Sequence, residues 1–392
     1  MPNVPLHIAG FCNPAFNLVK QAFTENLQQR GELGASVSVM HHGKTVVDLW
    51  GGYQDIAQTK PWEQDTLVCV MSVSKGIASI CLLVLADQNK IKLDELIATY
   101  WPEFSQAGKE NITVRCLLAQ LAGIPVADAA PKNSLFQLDV LAKAFEVQEP
   151  LWKPGSTPCY HSFSYGPLCQ KIVERVSGKT LGTFLREDLF GPRGIEFYIG
   201  LTPEEESRCT EILVDKDVPS INGMKDDTSL LARAWRPAPL ESPEALFQHS
   251  DFRRGEFASA NGHSNARALA QIYGALSQEG GGFINKTLLE DAIIEQWDAV
   301  EKMTNRHFRY GSGFMLNNTH FTLGTNPRSF GHPGLGGAMA FADPDAELGF
   351  GYCGNRIHAV DNNGPCGMAL IDALYQLCEW QDAIEEKIMK PL

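Results

Sequence analysis

Near the start of the chain the apolar residues follow the period of an α-helix, and beyond them apolar and polar residues alternate. One helix face is formed by residues spaced three or four apart: Phe16, Val19, Phe23 and Leu27. This spacing predicts a helix over residues 16–30. Alternation over residues 35–40 and 45–50, around a turn at 42–43, predicts two paired strands. A helix followed by a hairpin favours an antiparallel sheet with helices packed on it over a β–α–β repeat.

The middle of the chain is predicted to be mostly helical. The segments with helical character are residues 74–89, 112–118, 135–147, 168–176 and 266–276. Residues 203–262 differ from them, because they are rich in proline and charge and show weak periodicity. We expect this stretch to form long loops that wall a substrate cleft.

Strand-like segments return in the last third of the chain. They cover residues 310–316, 321–323, 338–342 and 348–352 and are separated by Gly, Asn and Pro. Residues 365–387 predict a long amphipathic helix. Strands therefore lie towards both ends and helices in the middle, which predicts an α+β protein.

Composition and charge narrow the class of partner. The 392 residues are 44% hydrophobic and 20% charged, as in an ordinary globular protein. The formal net charge is −13, which disfavours nucleic acid or an anionic membrane as the main partner. The longest apolar run, residues 77–86, is too short to cross a bilayer.

The cysteines and the N-terminal residues indicate where in the cell the protein is located and whether it binds a metal. Ten cysteines are scattered without a Cys-x-x-Cys pair or a Cys/His ligand spacing, and no His-Glu-x-x-His occurs. Residues 1–7 have neither the basic nor the apolar region of a signal peptide. We therefore expect free thiols in a cytoplasmic protein that uses no metal and no cofactor.

The strongest candidate chemistry lies at the start of the helix at residues 74–89. Ser72 and Lys75 are three residues apart, so their side chains face the same side. Burial beside apolar residues would lower the pKa of Lys75 and make it a base that activates the serine. In the alternative interpretation Ser72 caps the helix and Lys75 extends to solvent, since Ser-x-x-Lys is short and frequent.

Two further segments could complete a site around Ser72. Tyr160 lies in a polar loop and could carry a proton if a nearby lysine lowers its pKa, or its ring could simply cover the core. The glycines of residues 330–337 would let backbone N–H groups approach a ligand, as an oxyanion hole requires. The same residues could instead form a tight hairpin with Pro333 in its turn.

Other serine mechanisms have less support. The Gly-x-Ser-x-Gly elbow of α/β-hydrolases is absent from the sequence. Ser74 is followed three residues later by Ile77 rather than by a base. A triad of His161 with a serine has no local pattern that would bring the two side chains together.

In order along the chain, the three segments resemble the active-site motifs of serine β-lactamases and penicillin-binding proteins. These motifs are Ser-x-x-Lys, Tyr-x-Asn/Ser and Lys-Thr-Gly. Here they read Ser72-Val73-Ser74-Lys75, Tyr160-His161-Ser162 and His332-Pro333-Gly334. Flanking stretches at residues 112–118 with 123–124, 152–155 and 341–344 look like the class C β-lactamase group. The resemblance spans residue 16 to the C-terminal helix, nearly the whole chain.

The third motif departs from the lactamase pattern and resembles family VIII carboxylesterases. His332 stands where those enzymes use a lysine to bind a substrate carboxylate, and Pro333 replaces the threonine. A neutral imidazole binds an anion more weakly. Ser162 in place of asparagine also disfavours efficient turnover of β-lactams.

The resemblance implies a β-lactamase-like (DD-peptidase) fold with two domains. Residues 1–68 and 305–392 would form an antiparallel sheet with the N- and C-terminal helices. Residues 69–304 would form a mostly helical domain with cleft-lining loops, and the active site would lie between the two domains.

The resemblance also implies a serine carboxylesterase that cleaves small, short-chain esters through an acyl-enzyme. Ser72 would attack the carbonyl, and Lys75 with Tyr160 would accept its proton; which of the two is the base stays open. The backbone N–H groups of Ser72 and Leu335 would hold the oxyanion. Three residues would complete the substrate-binding wall: Ser162, His332 and Gly334.

A β-lactamase or D-amino-acid peptidase is the first alternative, and a non-catalytic scaffold of the same fold is the second. The natural ester, its acyl length and the oligomeric state stay open.

Overall fold

The structure of the protein is a computed structural model that describes residues 6–226, 228–238, 243–360 and 363–378. Its strands are Ile8–Cys12 (β1), Gly34–His41 (β2), Lys44–Gly52 (β3), Val68–Cys69 (β4), Phe197–Tyr198 (β5), Leu213–Val214 (β6), His263–Ser264 (β7), Trp297–Val300 (β8), His307–Tyr310 (β9), Met315–Leu316 (β10), Phe330–Pro333 (β11), Met339–Asp343 (β12), Leu348–Gly354 (β13) and Arg356–Ile357 (β14).

The described residues also form α-helices and short 3-10 turns. The α-helices are Asn17–Gln28 (α1), Val73–Asp87 (α2), Ile97–Tyr100 (α3), Val114–Leu118 (α4), Leu138–Val147 (α5), Tyr165–Ser177 (α6), Leu181–Phe184 (α7), Pro203–Glu206 (α8), Pro219–Lys225 (α9), Leu230–Trp235 (α10), Pro243–Leu246 (α11), Ser250–Arg254 (α12), Ala266–Ser277 (α13), Lys286–Ala292 (α14) and Gly364–Cys378 (α15).

One antiparallel sheet joins the two ends of the chain. Its strand order is β1-β3-β2-β13-β12-β11-β10-β9-β8. The predicted hairpin is confirmed as β2 and β3, and β13 pairs with β2 so that Phe350 lies opposite Val39. Because side chains alternate across a strand, this register turns both residues towards the same face of the sheet.

Helices cover both faces of the sheet. On one face α1 and α15 bury Phe23 and Leu374 against the apolar side chains of β2 and β13. On the other face α13 lies so close to β13 that a Cβ on Gly349 would be 2.1 Å from the backbone nitrogen of Gly274. Glycine is therefore required at this crossing. The α+β prediction with one antiparallel sheet is confirmed.

The second large core surrounds α2, of which residues 73–85 are buried throughout. The predicted helices at residues 112–118, 135–147, 168–176 and 266–276 are confirmed as α4, α5, α6 and α13, with ends shifted by a few residues. Helix α15 confirms the start of the last predicted helix, and its predicted continuation to residue 387 lies outside the described residues.

Several element predictions were wrong for local reasons. The strand predicted at residues 310–316 is divided into β9 and β10, and Gly313 between them has a φ of 108°. Residues 321–323 form no strand, because the Phe321 and Leu323 amides donate to the side chains of Asn318 and Asn317. The sequence pattern also missed β1, β8 and β11, of which the last contains His332.

In its described residues, the stretch at 203–262 contains five short helices, α8 to α12, and the strand β6, so it is not made of long loops throughout. Pro203 and Pro219 begin two of these helices, where a missing N–H costs no helical hydrogen bond. Helices of one or two turns are too short to establish an apolar period, which is why the pattern did not show them.

No helix in the described parts of the chain is long and apolar enough to cross a membrane. The division into domains at residues 1–68 with 305–392 and at 69–304 stays a prediction. Because β8 pairs with β9, we propose that the sheet domain also includes residues 297–300.

Candidate active site

The start of α2 is held in an unusual backbone conformation. Met71 has a φ of 49°, which is rare for a residue other than glycine, Asn or Asp, and such strain is concentrated at functional sites. The Val70 amide donates to the Gly262 carbonyl oxygen at 2.9 Å and anchors this turn. Ser74, not Ser72, stabilises the turn: its hydroxyl donates to the Met71 carbonyl and accepts from the Gly262 amide.

Ser72 is therefore free of the structural role that the capping alternative gave it. Its side chain makes no capping hydrogen bond to a described backbone group of the helix. Instead, Lys75 Nζ donates to Ser72 Oγ at 3.2 Å and to the Ser259 carbonyl oxygen at 2.7 Å. Lys75 is 1% exposed, so the alternative in which it extends to solvent is wrong.

Burial lowers the pKa of Lys75 to about 7, because an apolar environment disfavours the ammonium form. This agrees with the lowered pKa expected from the sequence. Near neutral pH a large fraction of the amine is uncharged and can accept the proton of the adjacent hydroxyl. The pair can therefore generate a nucleophilic serine.

Tyr160 lies beside this pair. Its ring centroid is 4.9 Å from Lys75 Nζ, and it lines the same pocket as Ser72. Burial raises the pKa of Tyr160, the polar Ser72 side chain opposes this rise, and the nearby charge of Glu301 adds to it. The condition set from the sequence, a pKa of Tyr160 lowered by a nearby lysine, is not met, because burial is the dominant effect and keeps the phenol protonated.

Glu301 is a positioning residue that the sequence did not reveal. This fully buried carboxylate accepts hydrogen bonds from the amides of Tyr160 at 2.7 Å, Met303 at 2.7 Å and Thr304 at 2.6 Å. It thereby ties the Tyr160 loop to the segment that follows β8. Its contact with Tyr160 spans 141 residues of sequence, so no local spacing indicates it.

His332 lies in β11 rather than in a turn, which corrects the sequence interpretation. Its Nδ1–H donates to the Pro333 carbonyl oxygen at 2.6 Å, so Nε2 accepts from the Tyr310 hydroxyl at 2.8 Å. Burial, with a smaller effect from the charge of Lys75, lowers the pKa of His332 to about 3. The imidazole is neutral and both of its nitrogens are engaged, so it offers no charge to a substrate anion.

The glycine-rich turn after β11 approaches the serine closely. The Gly334 amide donates to the Ala338 carbonyl oxygen at 2.6 Å, which closes the turn as a hairpin. A Cβ on Gly334 would lie 2.4 Å from the Val70 carbonyl oxygen, so only glycine allows this approach. The turn therefore brings Leu335 to the same pocket as Ser72.

This pocket is mainly apolar, and residues 203–262 form part of its wall. Helices α9 and α10 contribute Ser220, Met224, Leu231 and Trp235, and the segments after α11 and α12 contribute Phe247 and Ala260. Trp235 Nε1 donates to Ser162 Oγ at 2.9 Å and fixes that hydroxyl. The pocket thus unites Ser72, Tyr160, Ser162, His332, Gly334 and Leu335.

His161 is oriented away from a serine–histidine triad. Its Nδ1 is hydrogen-bonded to the Cys159 carbonyl oxygen at 2.7 Å. Burial lowers the pKa of His161 to about 4. The described contacts of its ring therefore support a structural role.

An antiparallel sheet with helices on both faces, and a serine, a lysine and a tyrosine in contact at the start of a buried helix, define a serine hydrolase of the β-lactamase fold. The chain belongs to the beta-lactamase family, whose model matches residues 19–373.

Comparison with known proteins supports this assignment. The esterase/beta-lactamase LipL of Mycobacterium tuberculosis (strain ATCC 25618 / H37Rv) is 27% identical over 367 residues, covering 91% of this chain and 85% of that protein. A crystal structure of a family VIII carboxylesterase is 34% identical with a TM-score of 0.87, covering 95% of this chain and 100% of the other. A penicillin-binding protein homologue from Caulobacter crescentus is 32% identical with a TM-score of 0.86 and the same coverage. The predicted β-lactamase-like fold is confirmed.

Proposed function

We propose that the protein is a carboxylesterase that cleaves small, short-chain esters through an acyl-enzyme on Ser72. The observation that carries this proposal is the 3.2 Å contact between Lys75 Nζ and Ser72 Oγ, in which burial provides an uncharged amine near neutral pH. The similarity to a family VIII carboxylesterase and to the esterase/beta-lactamase LipL supports the reaction class. A cytoplasmic location stays a prediction.

In the proposed acylation step Ser72 Oγ attacks the ester carbonyl while Lys75 Nζ takes the hydroxyl proton. The negative charge that develops on the carbonyl oxygen is held by the backbone N–H groups of Ser72 and Leu335. Tyr160 then donates its phenolic proton to the leaving alkoxide, and the Lys75 ammonium returns a proton to Tyr160. The alcohol leaves and the acyl group stays on Ser72.

Deacylation repeats these proton transfers with water as the nucleophile. Tyr160 and Lys75 withdraw a proton from the water as it attacks the acyl carbonyl, and the proton returns to Ser72 Oγ when the acid leaves. The raised pKa of Tyr160 favours Lys75 as the group that stores the proton, because a phenolate in this buried position is costly.

The pocket favours an ester over a β-lactam or a D-amino-acid peptide. Those substrates carry a carboxylate, and the lysine that would bind it is replaced by His332, whose imidazole is neutral with both nitrogens engaged. The Ser162 hydroxyl already accepts a hydrogen bond from Trp235, which limits its use as a replacement for the asparagine amide. Most of the remaining wall is apolar, and its polar members are Ser220, Thr304 and Arg306.

Parallel assays test this proposal. Hydrolysis of p-nitrophenyl butyrate, nitrocefin and a peptide ending in D-Ala-D-Ala should be compared on the same preparation. We expect kcat/KM to be highest for the ester, and a preference for either other substrate would overturn the esterase assignment. Labelling with a fluorophosphonate, located by mass spectrometry, tests the non-catalytic alternative, which an unlabelled Ser72 would favour.

The rate of ester hydrolysis should rise with pH through about 7. The neutral form of Lys75 is the base, and burial sets its pKa at about 7, so protonation below that pH removes the active form. We expect kcat/KM to fall by about tenfold per pH unit below 7 and to level off above it. A pH–rate profile between 5 and 9, with stability checked by return to pH 8, measures this. A rate that is independent of pH across this range would contradict the assignment of the base.

Glu301→Gln should reduce kcat with little change in KM. The substitution weakens the hydrogen bonds that place the Tyr160 loop, and a misplaced proton donor costs roughly 10- to 100-fold in rate. The rise of the rate through about pH 7 should be retained, because it reports the ionisation of Lys75. Glu295→Gln is the matched control, because that carboxylate is exposed and paired with Arg309. Equal kcat in the two variants would exclude the positioning role.

A further inference from the structure

A buried group of metal-binding side chains lies outside the pocket, where the segment after α1, the end of the sheet and α15 meet. Glu32, His358 and Cys366 each place one potential ligand atom within 4.8 Å of the other two. His358 Nε2 is 3.6 Å from Glu32 Oε2 and 3.9 Å from Cys366 Sγ. All three residues are buried.

These separations are close to those in a tetrahedral metal site. Zn²⁺ binds sulfur at about 2.3 Å and nitrogen or oxygen at about 2.0–2.2 Å, which places neighbouring ligand atoms roughly 3.3–3.6 Å apart. A contraction of a few tenths of an ångström would bring His358 into this range with both partners. Backbone movement is not required for such a change, because all three residues have rotatable side chains.

Glu32 provides an independent indication that a ligand belongs here. The Tyr352 hydroxyl donates to Glu32 Oε2. The other oxygen, Oε1, is buried without a hydrogen-bond partner among the described residues, and the residue is 7% exposed. An unpaired buried carboxylate oxygen is costly. A cation next to Glu32 would remove this cost.

His358 turns Nε2 to the other two side chains. Its Nδ1 lies 3.9 Å from Asp215 Oδ2, which is too long for a hydrogen bond. Asp215 is itself held by Arg356 Nε at 2.9 Å.

We propose that Glu32, His358 and Cys366 bind one Zn²⁺ ion. A thiolate, an imidazole and a carboxylate are three ligands of types that zinc accepts, whereas Mg²⁺ and Ca²⁺ require oxygen ligands. Binding forms a Zn–S bond and releases the Cys366 thiol proton to solvent, with no oxidant or reductant involved. The proposal replaces the expectation of a protein without metal, which rested on sequence spacing.

The site would stabilise a segment that borders the pocket. Val360, two residues after His358, lines the pocket. A Cβ on Gly336 would lie 2.9 Å from the Ile357 Cα, so this segment packs against the turn that holds Leu335. Bound Zn²⁺ should therefore raise the melting temperature, since it favours the folded chain.

Metal content tests the proposal without reference to activity. The purified chain is treated with EDTA, dialysed against ZnCl₂ and then against metal-free buffer, and bound zinc is measured by mass spectrometry. We expect about one Zn²⁺ per chain and a loss of at least tenfold in affinity for Cys366→Ala and for His358→Ala. Cys81→Ala is the matched control, because Cys81 is equally buried in α2 and should keep full binding.

Two results would overturn the proposal: a wild-type chain that binds no zinc, or a Cys366→Ala variant that binds as much as Cys81→Ala. Co²⁺ provides a second measurement in case a variant fails to fold, as judged by circular dichroism. A thiolate-to-cobalt absorption band in the wild-type chain would support Cys366 as a ligand. Co²⁺ binding without that band would exclude it.

Discussion

Ser72→Ala should abolish hydrolysis of short-chain p-nitrophenyl esters while leaving the fold unchanged. The hydroxyl is the atom that would form the acyl-enzyme, and removal of a serine nucleophile lowers kcat by roughly 10⁴-fold or more. Stability should change little, because Ser72 makes no capping hydrogen bond to a described helix group. Initial rates, with thermal unfolding followed by circular dichroism, measure both effects.

Ser74→Ala is the control that separates the two serines of this motif. Ser74 Oγ donates to the Met71 carbonyl at 2.5 Å and accepts from the Gly262 amide at 2.8 Å, so its loss should destabilise the fold by about 1–3 kcal/mol. The variant should still be labelled by a fluorophosphonate at Ser72. A Ser72→Ala enzyme that keeps full activity would show that the nucleophile has been assigned wrongly.

Lys75→Met should reduce kcat/KM by roughly 10²- to 10⁴-fold, the usual range for loss of a general base. Methionine fills the same buried space but cannot accept the hydroxyl proton of Ser72. In the wild-type chain Lys75 Nζ is 3.2 Å from Ser72 Oγ. The residual activity should also lose the inflection near pH 7, since no group with that pKa would remain next to the serine. Lys75→Arg should not restore activity, because a guanidinium stays charged.

Lys109→Met is the matched control for removal of a buried lysine. Lys109 Nζ donates to the carbonyl oxygens of Gln106, Glu146 and Gln148 and has a structural role. We expect this variant to be destabilised and yet to keep the wild-type pH profile. If Lys75→Met retained the inflection near pH 7, the base would have to be another residue.

The candidate nucleophile and its base were predictable because they lie on one turn of one helix. Ser72 and Lys75 are three residues apart, and helix geometry alone places such side chains together. Their local apolar context also predicted the direction of the pKa shift of Lys75. The hairpin of β2 and β3 and helix α13 were predictable for the same reason, since each is set by a short periodic pattern.

The electrostatic state of Tyr160 was not predictable in this way. Its pKa depends on burial and on Glu301, which reaches the loop from 141 residues further along the chain. Lys75 does not offset these effects, because burial lowers its pKa to about 7 and a large fraction of the amine is uncharged at neutral pH. The burial that produces both pKa shifts arises only when the chain folds.

The sequence by itself determined the α+β class, the central buried helix and the order of the three motifs, because periodicity and motif spacing act over a few residues. The tertiary structure decided what those motifs contact. It placed His332 in a strand, where both ring nitrogens form hydrogen bonds. It also placed Trp235 where its indole N–H donates to the Ser162 hydroxyl. It also assembled Glu32, His358 and Cys366 from both ends of the chain. Burial and charge at a site are sums over neighbours that are distant in sequence, so they are fixed only when the chain folds.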